Sequence, residues 1–456
     1  MKKEILEAKE ILDEKSEELK DLFRKDKNEG LEAIANHIVN KYSIKTFDEN
    51  DIYIFIDGIY CSNSAVITIK KEAKEILGSF LTSHSLREII EKVKIETSEI
   101  GLTKDSFATS NTDLICVENG ILNLKTRELK AHNPAIPFLS KIPVRYDKEA
   151  TCSDIKKFFS EVFEEEDVPV IQEWIGYCLL RNYKYKKAML LEAPYSSGKT
   201  QLLNILQNFI GKNNVSGVGL QEFYQKFAVV SLFGMHLNSY DDLSFRDLKE
   251  TGKFKMATGG GELPASYKFQ NEFHFSNFAK LIFATNQIPK IDFDDDAYYA
   301  RWLIIRLPSL FRGKDKVPDI GNKISTPEEL SGLLNYALDG LDRLQENESF
   351  SYERSMEEVK AIMQRSGSTL MAFIDDEILE GEDEDYITKK EFYEAYTEYC
   401  SVKGIWKMTK NKVGRDLSKN TTFIRDGQAM SGGRHNRAWK KAKFREFKNI
   451  KENKLV

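Results

Sequence analysis

The sequence predicts an α/β fold built around a phosphate-binding loop, set between an α+β segment and a basic C-terminal module. Three observations carry this. The run Leu190-Leu191-Glu192-Ala193-Pro194-Tyr195-Ser196-Ser197-Gly198-Lys199-Thr200 reads as an apolar strand, a tight loop, Gly-Lys-Thr and a helix from Gln201. Strand patterns over 188–192, 236–240 and 280–285, with a helical pattern over 201–210, imply a sheet with helices on its faces. From Lys403 onward basic residues outnumber acidic ones about four to one, although the whole chain carries a net charge of −5.

The 456 residues leave room for more than one domain and an ample core. Hydrophobic residues make up 41% and charged ones 30%, the balance of a soluble globular chain. No apolar run approaches the roughly 20 residues that span a membrane. The start, Met-Lys-Lys-Glu-Ile-Leu-Glu-Ala, lacks the apolar core of a signal peptide. A cytoplasmic protein without membrane contact is expected. Cys61, Cys116, Cys152, Cys178 and Cys400 are scattered with no C-x-x-C pair, which suits reduced thiols. No Cys/His cluster has zinc spacing, so no structural metal is expected.

In chain order, residues 3–27 place Ile5, Ala8, Leu12, Leu19, Leu22 and Phe23 at helical spacing, an amphipathic surface helix. Residues 52–56 followed by Asp57-Gly58 predict a strand and hairpin turn, with the return from Tyr60. Residues 114–117, Glu118-Asn119-Gly120 and 121–124 predict another strand–turn–strand, so 1–147 forms an α+β domain. Helical patterns around 153–181 open a second domain, 148–365, which holds the phosphate loop and closes with helical stretches over 326–347 and 353–366. A last domain, 366–456, carries a helix with Phe392, Tyr393, Tyr396 and Tyr399 on one side. A short helix near 411–417 and a Gly- and Arg-containing hairpin over 424–439 follow it.

Backbone N–H groups at the start of the helix after the loop face a triphosphate, where the helix dipole also favours negative charge. Ala193, Pro194, Tyr195, Ser196, Ser197, Gly198, Lys199, Thr200 and Gln201 form the nucleotide-binding set. Lys199 is expected to reach the β- and γ-phosphates and Thr200 to hold Mg²⁺. Ala193 stands where the pattern G-x-x-x-x-G-K-[ST] has its first glycine.

Four further elements accompany the loop, and each has a plainer structural reading. Asp241-Asp242, after the strand 236–240, would place Mg²⁺ and activate water, or cap the next helix. Asn286, after the strand 280–285, would touch the γ-phosphate or orient water at the sheet's carboxyl edge, or form a turn before Pro289. Arg301 follows Asp292, Asp294, Asp295 and Asp296 and precedes a strand. It is an arginine-finger candidate for a neighbouring subunit's nucleotide, or half of an ion pair. Phe254 to Glu262 contains Gly259-Gly260-Gly261, which suggests a tightly bent hairpin. Lys255 and Lys268 near its tip would contact a nucleic-acid backbone, with Tyr267 or Phe269 for stacking; a flexible surface loop is the alternative.

In this order and spacing the elements closely resemble the superfamily 3 helicases, and within them the helicase part of the poxvirus-type and phage or plasmid primase-helicase family. Residues 118–124, His132-Asn133-Pro134 and 143–147 resemble the domain preceding that core, and 175–179 its last helix. The resemblance implies an AAA+-like core in a hexameric ring that binds ATP and Mg²⁺ between subunits, with Arg301 acting in trans. Hairpins carrying Lys268 would line a pore and grip single-stranded DNA. Asp242 best matches the family's acidic position, with Asp241 beside it. The implied activity is that of an ATP-dependent DNA helicase in the replication of a virus, plasmid or mobile element. It would work in the host-cell cytoplasm with a separate primase or polymerase as partner. Primase activity is not expected, because no D-x-D on an apolar strand precedes the first family segment to hold metal for nucleotidyl transfer. Ser197 stands where these helicases often have Asn, and Gly261-Glu262 where they commonly show Asp.

Residues 366–456 resemble the winged-helix module that ends many of these helicases. Residues 388–400 form one helix in this reading, with Phe392, Tyr396 and Cys400 as core. Lys410, Lys412 and Arg415 fall on or near the recognition helix, and Arg425, Arg434, Arg437, Lys440 and Lys441 in the wing and beyond. That charge suits duplex DNA, and docking of a partner protein is the competing role. For the whole chain the alternative is an ATP-assembled DNA-binding replication initiator or scaffold without processive unwinding. Ala193 and the polar Asn238 and Ser239 in the strand before Asp241 favour that alternative.

Overall fold

The computed structural model describes all residues except 1, 48–50, 100, 102, 194–195, 242, 244–249, 269–270, 287, 289–294, 309–310, 312–316, 367, 404–406, 421–422, 432–433 and 446–456. The chain divides into two compact units. One comprises residues 1–242, 251–284 and 301–353, the other 243–250, 285–300 and 354–456.

The first unit opens with α1 (Lys2–Lys25), the amphipathic helix expected there, and α2 (Lys27–Lys41). Asp26 separates them: its carboxylate accepts the N–H groups of Asn28 and Glu29 and so caps α2. β1 (Ile44–Phe47), β2 (Asp51–Ile56) and β3 (Ile59–Cys61) form an antiparallel sheet in that order. Asp57 and Gly58 make the β2–β3 turn with φ of 52° and 89°, the paired positive values a tight hairpin needs. α3 (Ser62–Leu77) and α4 (Ser83–Thr97) complete this layer, and Ile34, Ile38, Ile54, Ile69, Ile89 and Val93 are buried in its core. α5 (Lys104–Thr109) leads into the antiparallel sheet of β4 (Leu114–Val117), β5 (Gly120–Asn123) and β6 (Leu129–Lys130). α6 (Ser153–Val162) and α7 (Asp167–Tyr177) follow.

β7 (Ala188–Glu192), α8 (Lys199–Ile210), β8 (Val215–Ser216) and β9 (Leu237–Tyr240) begin the central layer. α9 (Gly252–Gly259), β10 (Glu262–Ala265), β11 (Phe273–Ser276) and β12 (Lys280–Thr285) continue it. After α10 (Asp296–Tyr299), which belongs to the second unit, come β13 (Trp302–Arg306), α11 (Ile320–Lys323) and α12 (Pro327–Asn347). Five strands form one sheet in the order β13-β7-β12-β9-β8. The pairs β13–β7, β12–β9 and β8–β9 are parallel. The chain leaving β7 goes to β8 at one edge, and the chain leaving β12 goes to β13 at the other. The neighbours β7 and β12 thus send their connections in opposite directions, the topological switch point beside which open α/β sheets bind ligands. α12 packs on α7 at backbone contact: a Cβ at Gly176 would stand 2.3 Å from the Ala337 carbonyl oxygen.

The second unit holds α13 (Met356–Ser366), α14 (Thr369–Glu377), β14 (Ile378–Glu380), β15 (Tyr386–Thr388) and α15 (Lys389–Lys403). α16 (Lys410–Asn420), β16 (Arg425–Ser431), β17 (Arg434–Lys440) and β18 (Ala442–Phe444) complete it. Its strands pair as β15-β17-β16 and β14-β18. Phe373, Phe392, Tyr396, Cys400, Leu417 and Trp439 form its core. Among the described residues no helix is long and apolar enough to cross a membrane.

Candidate functional site

β7 delivers the loop that precedes α8 to the carboxyl edge of the sheet. The Lys199 ammonium lies almost buried and donates to the Ala193 carbonyl at 2.6 Å. Ser196 and Gly198 take the left-handed conformation, with φ of 65° and 93°, and Ala193 is not among the positive-φ residues. A methyl group at 193 therefore meets no backbone strain. Gly198 has no such latitude: its φ is positive, and a Cβ there would also stand 3.2 Å from Val162. α8 starts at Lys199, two residues before the expected start at Gln201. The Ser197 hydroxyl is buried without a hydrogen-bond partner among the described residues. The Gln201 side-chain oxygen accepts the Gly321 N–H at 2.9 Å and ties α8 to α11. Pro194 and Tyr195 lie outside the described residues.

The Thr200 hydroxyl donates to Asp241 Oδ2 at 2.8 Å, joining residues 41 positions apart. Asp242 lies outside the described residues. A hydroxyl and a carboxylate in contact in the first turn of α8, with Lys199 the preceding residue, form a donor set that suits Mg²⁺ and phosphate oxygens. The polar residues in the strand before Asp241 have structural work of their own. Asn238, fully buried, accepts from the Val218 N–H (2.7 Å) and the Ser216 hydroxyl (2.9 Å) and donates to the Val218 carbonyl (3.0 Å). Ser239 accepts from Gln207 of α8 at 3.1 Å. They knit β9 to the edge strand and to α8. Asn286 directly follows β12 and is exposed.

Arg301 sits at the opposite edge of the sheet. Its carbonyl accepts the Ala188 N–H at 2.7 Å, at the amino end of β7. Ala193 lies about 16 Å further along that strand, at about 3.3 Å per residue. Its guanidinium faces α9, where Nη2 lies 3.5 Å from the Lys255 carbonyl.

The hairpin expected around 254–262 lies one element later. Residues 252–259 are α9, so Lys255 sits in a helix and not near a hairpin tip. Gly260, with φ of 75°, ends that helix in the left-handed conformation glycine adopts most easily. The glycine run caps a helix and does not bend a hairpin. The hairpin is β10–β11, paired from Glu262–Ser276 to Ala265–Phe273. Its loop carries exposed Tyr267 and Lys268, and the Tyr267 ring stacks on Phe273 at 5.9 Å and 20°. Phe269 lies outside the described residues.

In the second unit, the N-terminal turn of α15, α16 and β17 border an open groove lined by Lys389, Lys390, Lys410, Arg415 and Arg437. Its carboxylates include Asp426, which pairs with Lys389 at 2.6 Å. Lys412 lies on α16, and Arg434 opens β17.

A buried polar cluster at the amino edge of the sheet escaped the sequence reading. Lys280, at the start of β12, is fully buried. It donates to the Leu180 and Phe278 carbonyls at 2.7 Å each and stands over the Tyr177 ring at 4.4 Å. Burial pushes its pKa down to about 7. His236 donates from Nδ1 to the Cys178 carbonyl (3.0 Å) and accepts at Nε2 from the Ser140 hydroxyl (2.9 Å), and burial pushes its pKa down to about 3. Arg181 donates to the carbonyls of Ala108 (3.0 Å) and Asn111 (2.8 Å), and burial lowers its pKa to about 10. A lysine opening an apolar strand was the single local signal for this cluster.

Residues 8–164 match the family model described as D5 N terminal like. Residues 191–301 match the model of a family of unknown function, DUF5906. That second match begins in β7 and ends at Arg301, so it contains the phosphate loop, Asp241 and the β10–β11 hairpin. Two solved structures, described as the apo structure and the A form apo structure of the NrS-1 C terminal region, are 14% identical to this chain. Each covers 89% of this chain and is itself covered to 98%, with TM-scores of 0.48 and 0.49. No curated protein matches. Over residues 8–164 the chain is thus similar to the D5 N terminal like family. The rest combines a mixed α/β core on a five-stranded parallel sheet with a small α+β unit.

Proposed function

We propose that the chain is an ATP-driven DNA helicase of superfamily 3 type, acting as a ring in the replication of a virus, plasmid or mobile element. The observation that carries this is the 2.8 Å contact between Thr200 and Asp241 at the carboxyl edge of a parallel sheet, beside buried Lys199. The D5-like match and the motif order agree with it. In this reading Lys199 leaves the Ala193 carbonyl for the β- and γ-phosphates, and the α8 N-terminus receives the phosphate oxygens. Thr200 and Asp241 hold Mg²⁺, which when bound neutralises developing charge on the phosphates. Asn286 orients the attacking water.

Arg301, at the amino edge of its own sheet, serves the nucleotide of the next subunit. Lys268 and Tyr267 grip the strand by charge and stacking. The basic groove of the second unit, a winged-helix module in this reading, binds duplex phosphates. A ring of this kind makes the partners single-stranded and duplex DNA, further copies of the chain in a hexamer, and a separate primase or polymerase.

The test is ATP hydrolysis with and without single-stranded DNA. Wild type is expected to hydrolyse ATP faster with DNA, and Lys199→Ala to abolish turnover. A wild-type rate equal to that of Lys199→Ala in the presence of DNA sinks the motor reading. Strand displacement separates the helicase from the initiator: ATP-dependent oligomers that unwind nothing are scaffolds.

A further inference from the structure

Helix α5 of the D5-like segment reaches the base of the β10–β11 hairpin. The Asp105 carboxylate accepts the Ser276 backbone N–H at 2.7 Å on one oxygen and the Ser276 hydroxyl at 3.1 Å on the other. Ser276 is the last residue of β11. Beside it, Lys104 pairs with Asp51 of β2 and stands over the Phe273 ring at 5.7 Å. Phe273 in turn carries the stacked ring of Tyr267.

α5 is itself held at two further points. Buried Phe107 packs edge-on against Phe47 (4.7 Å) and Tyr60 (5.1 Å), which fixes the helix to the β1–β2–β3 sheet. Arg181, just past α7, donates to the carbonyls of Ala108 and Asn111 at the far end of the helix. Thr103 and Ser106 close a reciprocal capping box that fixes its first turn. A six-residue helix anchored this way behaves as a rigid strut.

We propose that α5 sets the position of the hairpin that grips nucleic acid, with Asp105 as its positioning residue. The proposal rests on the nucleic-acid reading of Tyr267 and Lys268 made above. The hairpin is two short strands, and a two-stranded ribbon is marginal in water by itself. The paired bonds from Ser276 to a carboxylate are charge-assisted and therefore strong for their kind. Through them the D5-like segment determines where Lys268 and Tyr267 meet the strand. Asp105 acts on the hairpin through Ser276.

The experiment uses the full chain as wild type, Asp105→Ala, Asp105→Asn and Ser276→Ala. Hydrogen exchange without nucleotide or DNA reads the strut directly. Amides of β10 and β11 should exchange about tenfold faster in Asp105→Ala, as expected for losing hydrogen bonds to a charged group, while α8 amides stay unchanged and report an intact core. Anisotropy with a fluorescent oligothymidylate reads the consequence. Its Kd should rise about tenfold in Asp105→Ala and less in Ser276→Ala, which loses only the hydroxyl bond. Asp105→Asn should recover much of the loss, and the KM for ATP without DNA should not move. Unchanged hairpin exchange in Asp105→Ala, or faster exchange with unchanged oligothymidylate affinity, overturns the strut. Failure of the wild-type chain to bind oligothymidylate overturns the nucleic-acid reading of the hairpin and this proposal with it.

Discussion

Mixing Arg301→Ala with Lys199→Ala subunits tests the proposed inter-subunit site most sharply. Arg301 bonds to the amino end of β7, and the phosphate loop leaves its carboxyl end. The two lie about 16 Å apart along the strand, too far for one arginine side chain to serve its own loop. In a head-to-tail ring each site takes Lys199 from one subunit and Arg301 from the next. Either variant alone spoils every site, and loss of an arginine finger costs about 10³–10⁵ in turnover. In a random equimolar ring about half the sites keep Lys199 and about half of those face an intact Arg301, so about one quarter are complete. The mixture should hydrolyse ATP at about one quarter of the wild-type rate if sites fire independently, with the maximum at equal amounts. The assay is steady-state ATP hydrolysis with single-stranded DNA, on subunits carrying two different tags so that mixed oligomers are verified by co-purification. Verified mixed oligomers no faster than either parent at any ratio would refute the trans assignment.

Two further outcomes follow from buried geometry. Ala193→Gly should leave ATP turnover within about twofold of wild type and lower stability by about 0.5–1 kcal/mol, since position 193 does not use positive φ and glycine adds only chain entropy. Steady-state kinetics and thermal unfolding check this, and a many-fold gain in turnover would show that the methyl obstructs the loop. For His236 the pKa falls from 6.5 to about 3 on folding. The unfolded chain then binds more protons between those values, so stability is full above about pH 6.5 and is lost as pH falls toward 3. The loss from this residue between pH 7 and pH 5 should be about 2 kcal/mol. Denaturant unfolding of wild type against His236→Gln at the two pH values measures it, and an equal acid loss in both would refute the assignment.

The strand–loop–helix around Lys199 was legible because its signals are local: an apolar strand, small residues and Gly-Lys-Thr lie within 11 positions. The strands at 188–192 and 280–285 were legible for the same reason, being continuous apolar runs. α2 was not, because a single residue, Asp26, parts it from α1 and the helical period runs through the break. α3 opens directly from β3 with no side-chain cap at Cys61, so no start signal marks it. At 259–261 the glycines end a helix where the pattern suggests a hairpin. A left-handed glycine serves a helix end as well as a tight hairpin, and only the hydrogen bonds of α9 distinguish the two. Asn238 and Ser239 looked like defects in a strand. Their partners, Val218, Ser216 and Gln207, come from segments that local pattern cannot bring together.

Sequence pattern alone carries the strand–loop–helix of 188–210, the apolar runs that build a parallel sheet, and the basic C-terminal charge. These follow from side-chain period, turn chemistry and charge, all of which act over a few neighbouring residues. The contact of Thr200 with Asp241, the place of Arg301 at the edge away from the loop, and the bond from Ser276 to Asp105, 171 positions away, come from the folded chain. Each of those depends on strand order and on the need of buried polar groups for a partner, which is met by whatever the fold brings near.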